Sequence, residues 1–131
     1  MMAEHNELGA TGEELARHHV TSLGLEILET NWRNGKLEID IIAKDKNSLV
    51  LIEVKTRNTD FFGPPESFVD KKKQNMMAEA AEIYLNSLKD VDLEVRYDIV
   101  AVLVNPKGGY EIKYFEDAFF PDDLGLSVMD F

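Results

Sequence analysis

The chain has 131 residues, 44% hydrophobic and 9% aromatic, enough for one domain with a buried core and too apolar for a disordered tail. Cysteine is absent, which excludes thiol catalysis, disulfides and thiolate zinc sites and points to a reducing cytoplasm; no apolar run reaches the roughly 18 residues of a membrane span, and the acidic start MMAEHNELGA lacks signal-peptide regions. Fourteen Lys and Arg against 25 Asp and Glu leave a net charge of −11, which opposes whole-molecule attraction to nucleic acid or to an anionic membrane. The charge is unevenly spread. Residues 1–29 carry one base and six acids (−5), residues 76–131 four bases and twelve acids (−8), and residues 30–75 nine bases and seven acids (+2). Only the middle third welcomes an anion.

In chain order, a first helix is expected over about 12–23, with Leu15, His19, Val20 and Leu23 on one face, Thr11 as N-cap, Glu14 as its capping-box partner and Gly24 as the stop. Three extended runs follow, at 26–32, 37–44 and 48–56, rich in Ile, Leu and Val. The run from Asn58 to Pro65 reads as a loop within the domain. A second helix is expected over about 67–88, opening with Ser67 and Asp70 as a capping box and turning Met77, Ala80, Ala81, Tyr84, Leu85 and Leu88 to one side. Residues 92–104 return to a strand, with 99–104 apolar enough to be buried on both faces. A turn at 105–109 leads to a last strand at 110–115. The order α-β-β-β-α-β-β predicts an α/β fold: a mixed central β-sheet flanked by helices, one domain over 1–131 with its core at about 9–115 and an acidic tail at 116–131.

The runs 37–44 and 48–56 read as a hairpin whose paired positions sum to 93, so Asp40 falls opposite Glu53 and Glu38 opposite Lys55, with paired Cβ atoms about 5 Å apart. Like charges placed opposite one another repel, and an amine, a retained proton or a cation offsets them. Lys55 supplies an amine; a divalent metal would supply a cation. Solvated strands often carry such Glu and Lys pairs, and spacing alone leaves that reading open. Leu49 and Leu51 share a parity with Glu53 and Lys55, so the face passes from apolar to charged, which favours a site. Oxygen ligands from Asp40 and Glu53, with a backbone carbonyl such as that of Val54 and waters, suit Mg²⁺ or Mn²⁺ better than zinc.

Asp40 followed by Glu53-Val54-Lys55 resembles the D…(E)xK core of the PD-(D/E)XK nuclease superfamily. A longer series is similar to the YraN-type family of small bacterial proteins, which resemble archaeal Holliday-junction resolvases. It comprises Gly12-Glu13-x-x-Ala16, Asn31-Trp32-Arg33, Glu38-Ile39-Asp40-Ile41-Ile42-Ala43, Glu53-Val54-Lys55-Thr56-Arg57, Phe62-Gly63-Pro64-Pro65-Glu66, Lys73-Gln74, residues 78–85 and Arg96-Tyr97-Asp98-Ile99-Val100. One departure is Leu37, where the family usually has Gly; a shifted turn at Gly35-Lys36 is the expected consequence. The resemblance implies a restriction-endonuclease-like core. It further implies metal ligation by Asp40 and Glu53, with Glu13 adding a carboxylate, Lys55 acting beside the scissile phosphate, and Gln74 positioning substrate or water.

Glu13 in a first helical turn is equally served by the helix dipole, and Gln74 by solvent. Arg57, Lys71, Lys72 and Lys73 are candidates for phosphate contacts. A lysine run at a helix start opposes the dipole and needs Asp70, Glu66 or a bound anion to offset it. Core packing suits Trp32; Phe61 and Phe62 can stack on bases. Asp98 reads as a structural partner of Arg96 or of a lysine rather than a ligand, and His5, His18 and His19 form no zinc signature. The expectation is a Mg²⁺- or Mn²⁺-dependent endonuclease-like protein acting on DNA, branched or otherwise structured, away from membranes, with a homodimer combining two positive middle segments. The competing expectations are a catalytically silent nucleic-acid-binding or scaffold module of the same fold, and a small acidic interaction protein.

Overall fold

The β-rich stretch 26–58 is interrupted at Gly35-Lys36 and Lys46-Asn47, and it folds as an antiparallel meander of β1 (Glu26–Asn34), β2 (Leu37–Asp45) and β3 (Ser48–Asn58). Gly35 (φ 61°) and Lys46 (φ 55°) open the two turns in the left-handed region, the hand that suits a two-residue hairpin. The computed structural model describes residues 2–58, 65–89 and 92–121, the side chains of 2–10, 65 and 66 excepted. Phe61, Phe62, the motif residues Gly63 and Pro64, the Glu66 side chain, the His5 side chain and tail residues 122–131 lie outside that description.

Helix α1 (Met2–Ser22) precedes the meander, and α2 (Lys71–Ser87) carries the chain over to β4 (Glu94–Val104), parallel to β3. Strand β5 (Tyr110–Phe115) pairs antiparallel with β4, giving one mixed five-stranded sheet in the order β1-β2-β3-β4-β5. This is the α-β-β-β-α-β-β arrangement expected from the sequence. Two cores fill its faces. On the α2 side Ile42, Leu49, Leu51, Ile99 and Ala101 meet Met77, Ala80, Ala81 and Tyr84; on the α1 side Ile41, Val50, Ile52, Val100 and Val102 meet Ala16 and Val20. Residues 99–103 of β4 are buried on both sides, as their apolar run requires.

Both helix starts differ from the sequence reading. Helix α1 runs through Thr11 from Met2, because the upstream Met, Ala, Glu and Leu residues favour helix and no proline interrupts them, Gly9 being a tolerable cost. It buries Ala16 and Val20, four residues apart, while Leu23 beyond its end is 48% exposed. Gly24 ends it as expected, at φ 94° with its N–H donating to the Thr21 carbonyl. Helix α2 starts at Lys71: Pro65–Phe68 forms a 3₁₀ turn, and Asp70, not Ser67, is the N-cap. Asp70 stands in extended backbone and its carboxylate accepts the Lys73 N–H at 2.8 Å, satisfying a donor that the helix leaves free.

Candidate metal centre

The β2–β3 ladder follows the predicted register, from Asp45↔Ser48 to Ile41↔Ile52, and stops there. Extending it would pair Ile39 with Val54. Instead the Val54 N–H donates to Asp40 Oδ2 at 2.8 Å, so the carboxylate takes the place of a ladder carbonyl. The two strands part at Asp40. The side-chain alternation of β2 breaks at the same point, since Leu37 and Ile39 join Ile42 in the α2-side core although Ile41 lies in the other. Asn31 of β1, which falls across from Asp40 between Thr30↔Ile41 and Trp32↔Ile39, has φ 52°. The expected flat pairing of Asp40 with Glu53 and of Glu38 with Lys55 is therefore corrected: neither is a ladder pair, and Glu38 forms its ion pair at 3.1 Å with Arg33 on β1.

Glu53 continues the face of Leu49 and Leu51 beneath α2, and it is 5% exposed. Lys55 Nζ lies 3.3 Å from its Oε2, and Lys73 Nζ, from the first turn of α2, lies 3.7 Å from its Oε1. That Oε1 is buried and has no hydrogen-bond partner. Burial pushes the Asp40 carboxyl above its ordinary range, against the pull of the Val54 N–H and of Lys73 and Lys55. Burial also raises Glu53, and the Asp40 charge adds to the effect, so the two carboxylates lie within electrostatic reach of one another. Two desolvated carboxylates, one with an unsatisfied oxygen, form an all-oxygen donor set that fits a hard divalent cation. In an extended strand a residue's N–H and C=O project to the same side, so the Val54 carbonyl joins this side of β3.

The remaining candidates divide. Among the described residues no three His, Cys, Asp or Glu side chains form a group that could together hold a metal ion, so Glu13 on α1 is not gathered with Asp40 and Glu53. Gln74 donates from Nε2 to the Val69 carbonyl at 3.0 Å, which binds the side chain to the approach of its own helix. Arg57 is exposed at the end of β3, and its Nη1 donates to the Thr56 carbonyl. Lys71 and Lys72 are exposed, whereas Lys73 turns inward to Glu53. The lysine run predicts one kind of contact for all three; the structure separates them, because a crossover helix that follows β3 starts at that strand's carboxyl end. That topological signal was available in the strand and helix order. Trp32 packs on the α2-side core, edge-on to Tyr84 with ring centroids 5.9 Å apart.

Asp98 is fully buried, accepting from Arg96 at 2.9 Å, from the Asp117 N–H at 2.8 Å and from the Tyr114 hydroxyl. It is a structural residue, and of the two partners its position in an apolar strand suggested, Arg96 or a lysine, the structure gives Arg96. Arg96 also reaches Asp45 at 3.0 Å; burial works against its charge, but its carboxylate partners outweigh that and hold it protonated.

Fold and site together define an α/β protein with a nuclease-like core, its acidic pair at the point where two strands diverge. The sequence profile described as "Uncharacterised protein family UPF0102" matches residues 12–102. The chain is 48% identical over 119 residues to a UPF0102 protein of Flavobacterium psychrophilum, covering 91% of this chain and 98% of the relative. It is 44% identical over 120 residues to one of Phocaeicola vulgatus (92% and 98%) and 39% over 119 residues to one of Porphyromonas gingivalis (90% and 87%). The chain belongs to the UPF0102 family, the YraN-type family whose motifs it carries. No helix among the described residues is long and apolar enough to cross a membrane.

Proposed function

We propose that this protein is a metal-dependent nuclease that hydrolyses phosphodiester bonds of DNA, in branched or otherwise structured form. The observation that carries the reading is the buried, unpartnered Glu53 Oε1 beside Asp40, in a cluster that also holds Lys55 and Lys73. Asp40, Glu53 and the Val54 carbonyl would hold Mg²⁺ or Mn²⁺, which when bound would supply Lewis acidity toward a phosphate oxygen and a water. Lys55 is a compact charge beside the scissile phosphate and stabilises the negative charge that builds in the transition state. Asp40, fixed by the Val54 N–H, keeps its second oxygen for the cation. Arg57, Lys71 and Lys72 hold flanking phosphates. The resemblance of the YraN-type family to archaeal Holliday-junction resolvases supports a structured substrate.

The test is incubation of the purified chain with junction, flap, single-stranded and duplex DNA in Mg²⁺ or Mn²⁺. Cleavage is expected to disappear in EDTA and to fall by about 10²-fold or more in Asp40→Ala, Glu53→Ala and Lys55→Ala, the usual scale for removing an electrostatic stabiliser. Cleavage that survives all three substitutions sinks the mechanism. Metal-dependent binding without cleavage would instead favour the silent nucleic-acid-binding module.

A further inference from the structure

Lys73 differs from its neighbours in what it faces. Its Nζ stands 3.7 Å from Glu53 Oε1, beyond hydrogen-bond range, and pairs by charge with that oxygen, which has no hydrogen-bond partner. Lys55 meanwhile holds the other oxygen at 3.3 Å. The Lys73 side chain is 29% exposed, so it is not enclosed by the fold. Two carboxylates and two ammoniums make the cluster formally neutral. A cation coordinated by Oε1 would meet the Lys73 ammonium almost at contact, and the like charges cannot both stay. Lysine carries its charge on a flexible four-carbon stem and can move it without moving the helix.

We propose that Lys73 is an exchangeable counter-ion: its ammonium neutralises Glu53 in the metal-free protein and turns out to hold a phosphate oxygen of nucleic acid when a divalent cation takes Oε1. The inference rests on the reading of Asp40 and Glu53 as metal ligands. It deepens that reading by coupling the two kinds of binding. Loading with a divalent cation turns a neutral cluster into one with two positive charges and releases an ammonium toward the substrate. A chain of net charge −11 then has little attraction for DNA until the metal is in place.

The experiment measures Mn²⁺ affinity of the full chain without DNA, by electron paramagnetic resonance, and DNA affinity with and without Ca²⁺, a cation chosen to permit binding without turnover. Wild type, Lys73→Met, Lys73→Arg and Glu53→Gln are compared. Methionine keeps the apolar stem and removes a cation from a helix N-terminal turn, so the variant should fold, with circular dichroism as the check. Lys73→Met is expected to bind Mn²⁺ roughly tenfold more tightly, because a like charge beside the ligand oxygen is gone. Its gain in DNA affinity on adding Ca²⁺ should shrink, with the salt slope lower by about one contact, and Lys73→Arg should retain the gain. A merely structural lysine would not move metal and DNA affinity in opposite directions. If wild type binds Mn²⁺ and Glu53→Gln loses it, but Lys73→Met changes neither affinity, the counter-ion role is overturned and the metal reading stands. If wild type takes up no Mn²⁺, both are overturned.

Discussion

Burial raises the carboxyls of Asp40 and Glu53 above their ordinary values of 3.8 and 4.5, so between those values and the raised ones the folded chain binds more protons than the unfolded chain. Stability contributed by this pair is therefore present at low pH and lost as pH rises through the raised values. At neutral pH the two charges strain the metal-free fold, even with Lys55 and Lys73 alongside. Glu53→Gln, which keeps the shape and removes the charge, should then stabilise the metal-free protein at pH 7 by on the order of 1 kcal/mol, the usual scale for relieving a functional site. Urea unfolding at pH 7 and pH 5 checks both the sign and its shrinkage on acidification. Mg²⁺ should raise the wild-type midpoint and leave Glu53→Gln where it is. A variant less stable than wild type at pH 7 would show that the lysine pairs outweigh the burial. Asp98 shows the opposite design: more deeply buried than either, it has Arg96, Tyr114 and a backbone N–H to satisfy it, and no unpaired oxygen to offer.

At the scale of elements, α1 seats against the end of β3. Gly12 lies so close to Thr56 that a Cβ there would overlap the threonine Oγ1, and a β-branched side chain has little freedom to turn away. Gly12→Ala should destabilise the fold by about 1–3 kcal/mol, the common cost of overpacking. Thr56→Ala in the same chain should recover most of that loss, read as a coupling energy in a double-mutant cycle; independent, additive effects would mean that α1 shifts without meeting β3. The strands were legible to within a few residues because alternation and turn residues act locally: Gly35, Lys46-Asn47 and 105–109 each sit where a strand pair turns. The hairpin register was legible too. What was not legible depended on neighbours distant in sequence. The parting of β2 from β3 at Asp40 involves Asn31 of β1; the strand and helix order brings the start of α2 to the end of β3, but which of the three lysines turns in to Glu53 depends on how the helix packs. Asp70 outcompeted Ser67 as a cap because either residue type can cap a helix, and the sequence pattern ranked the wrong one first.

For the molecule as a whole, the net charge of −11 is the sum of acidic flanks around a segment, 30–75, that carries +2 and supplies β2, β3 and the start of α2. The proposed phosphate contacts, Arg57, Lys71, Lys72 and Lys73, all lie in that segment, on the last residues of β3 or the first turn of α2. Two fields of different range therefore act on an approaching nucleic acid. The repulsion of the whole chain reaches far at low salt, where the screening length is about 30 Å at 0.01 M, and it fades at about 0.15 M, where the length is about 8 Å. The contacts act at short range, and each releases about 0.9 counterion from duplex DNA, so four of them set a limiting slope near −3 to −4 in a plot of log affinity against log salt. Binding to a junction or duplex in Ca²⁺ should thus approach that slope above about 0.1 M salt and flatten below it, as unscreened repulsion offsets the gain. Arg57→Ala together with Lys72→Ala should reduce the high-salt slope by about two contacts. Affinity that does not fall with salt above 0.1 M would remove the phosphate contacts from the interface, whereas a steep slope without low-salt flattening would mean that the acidic flanks are held away from the DNA.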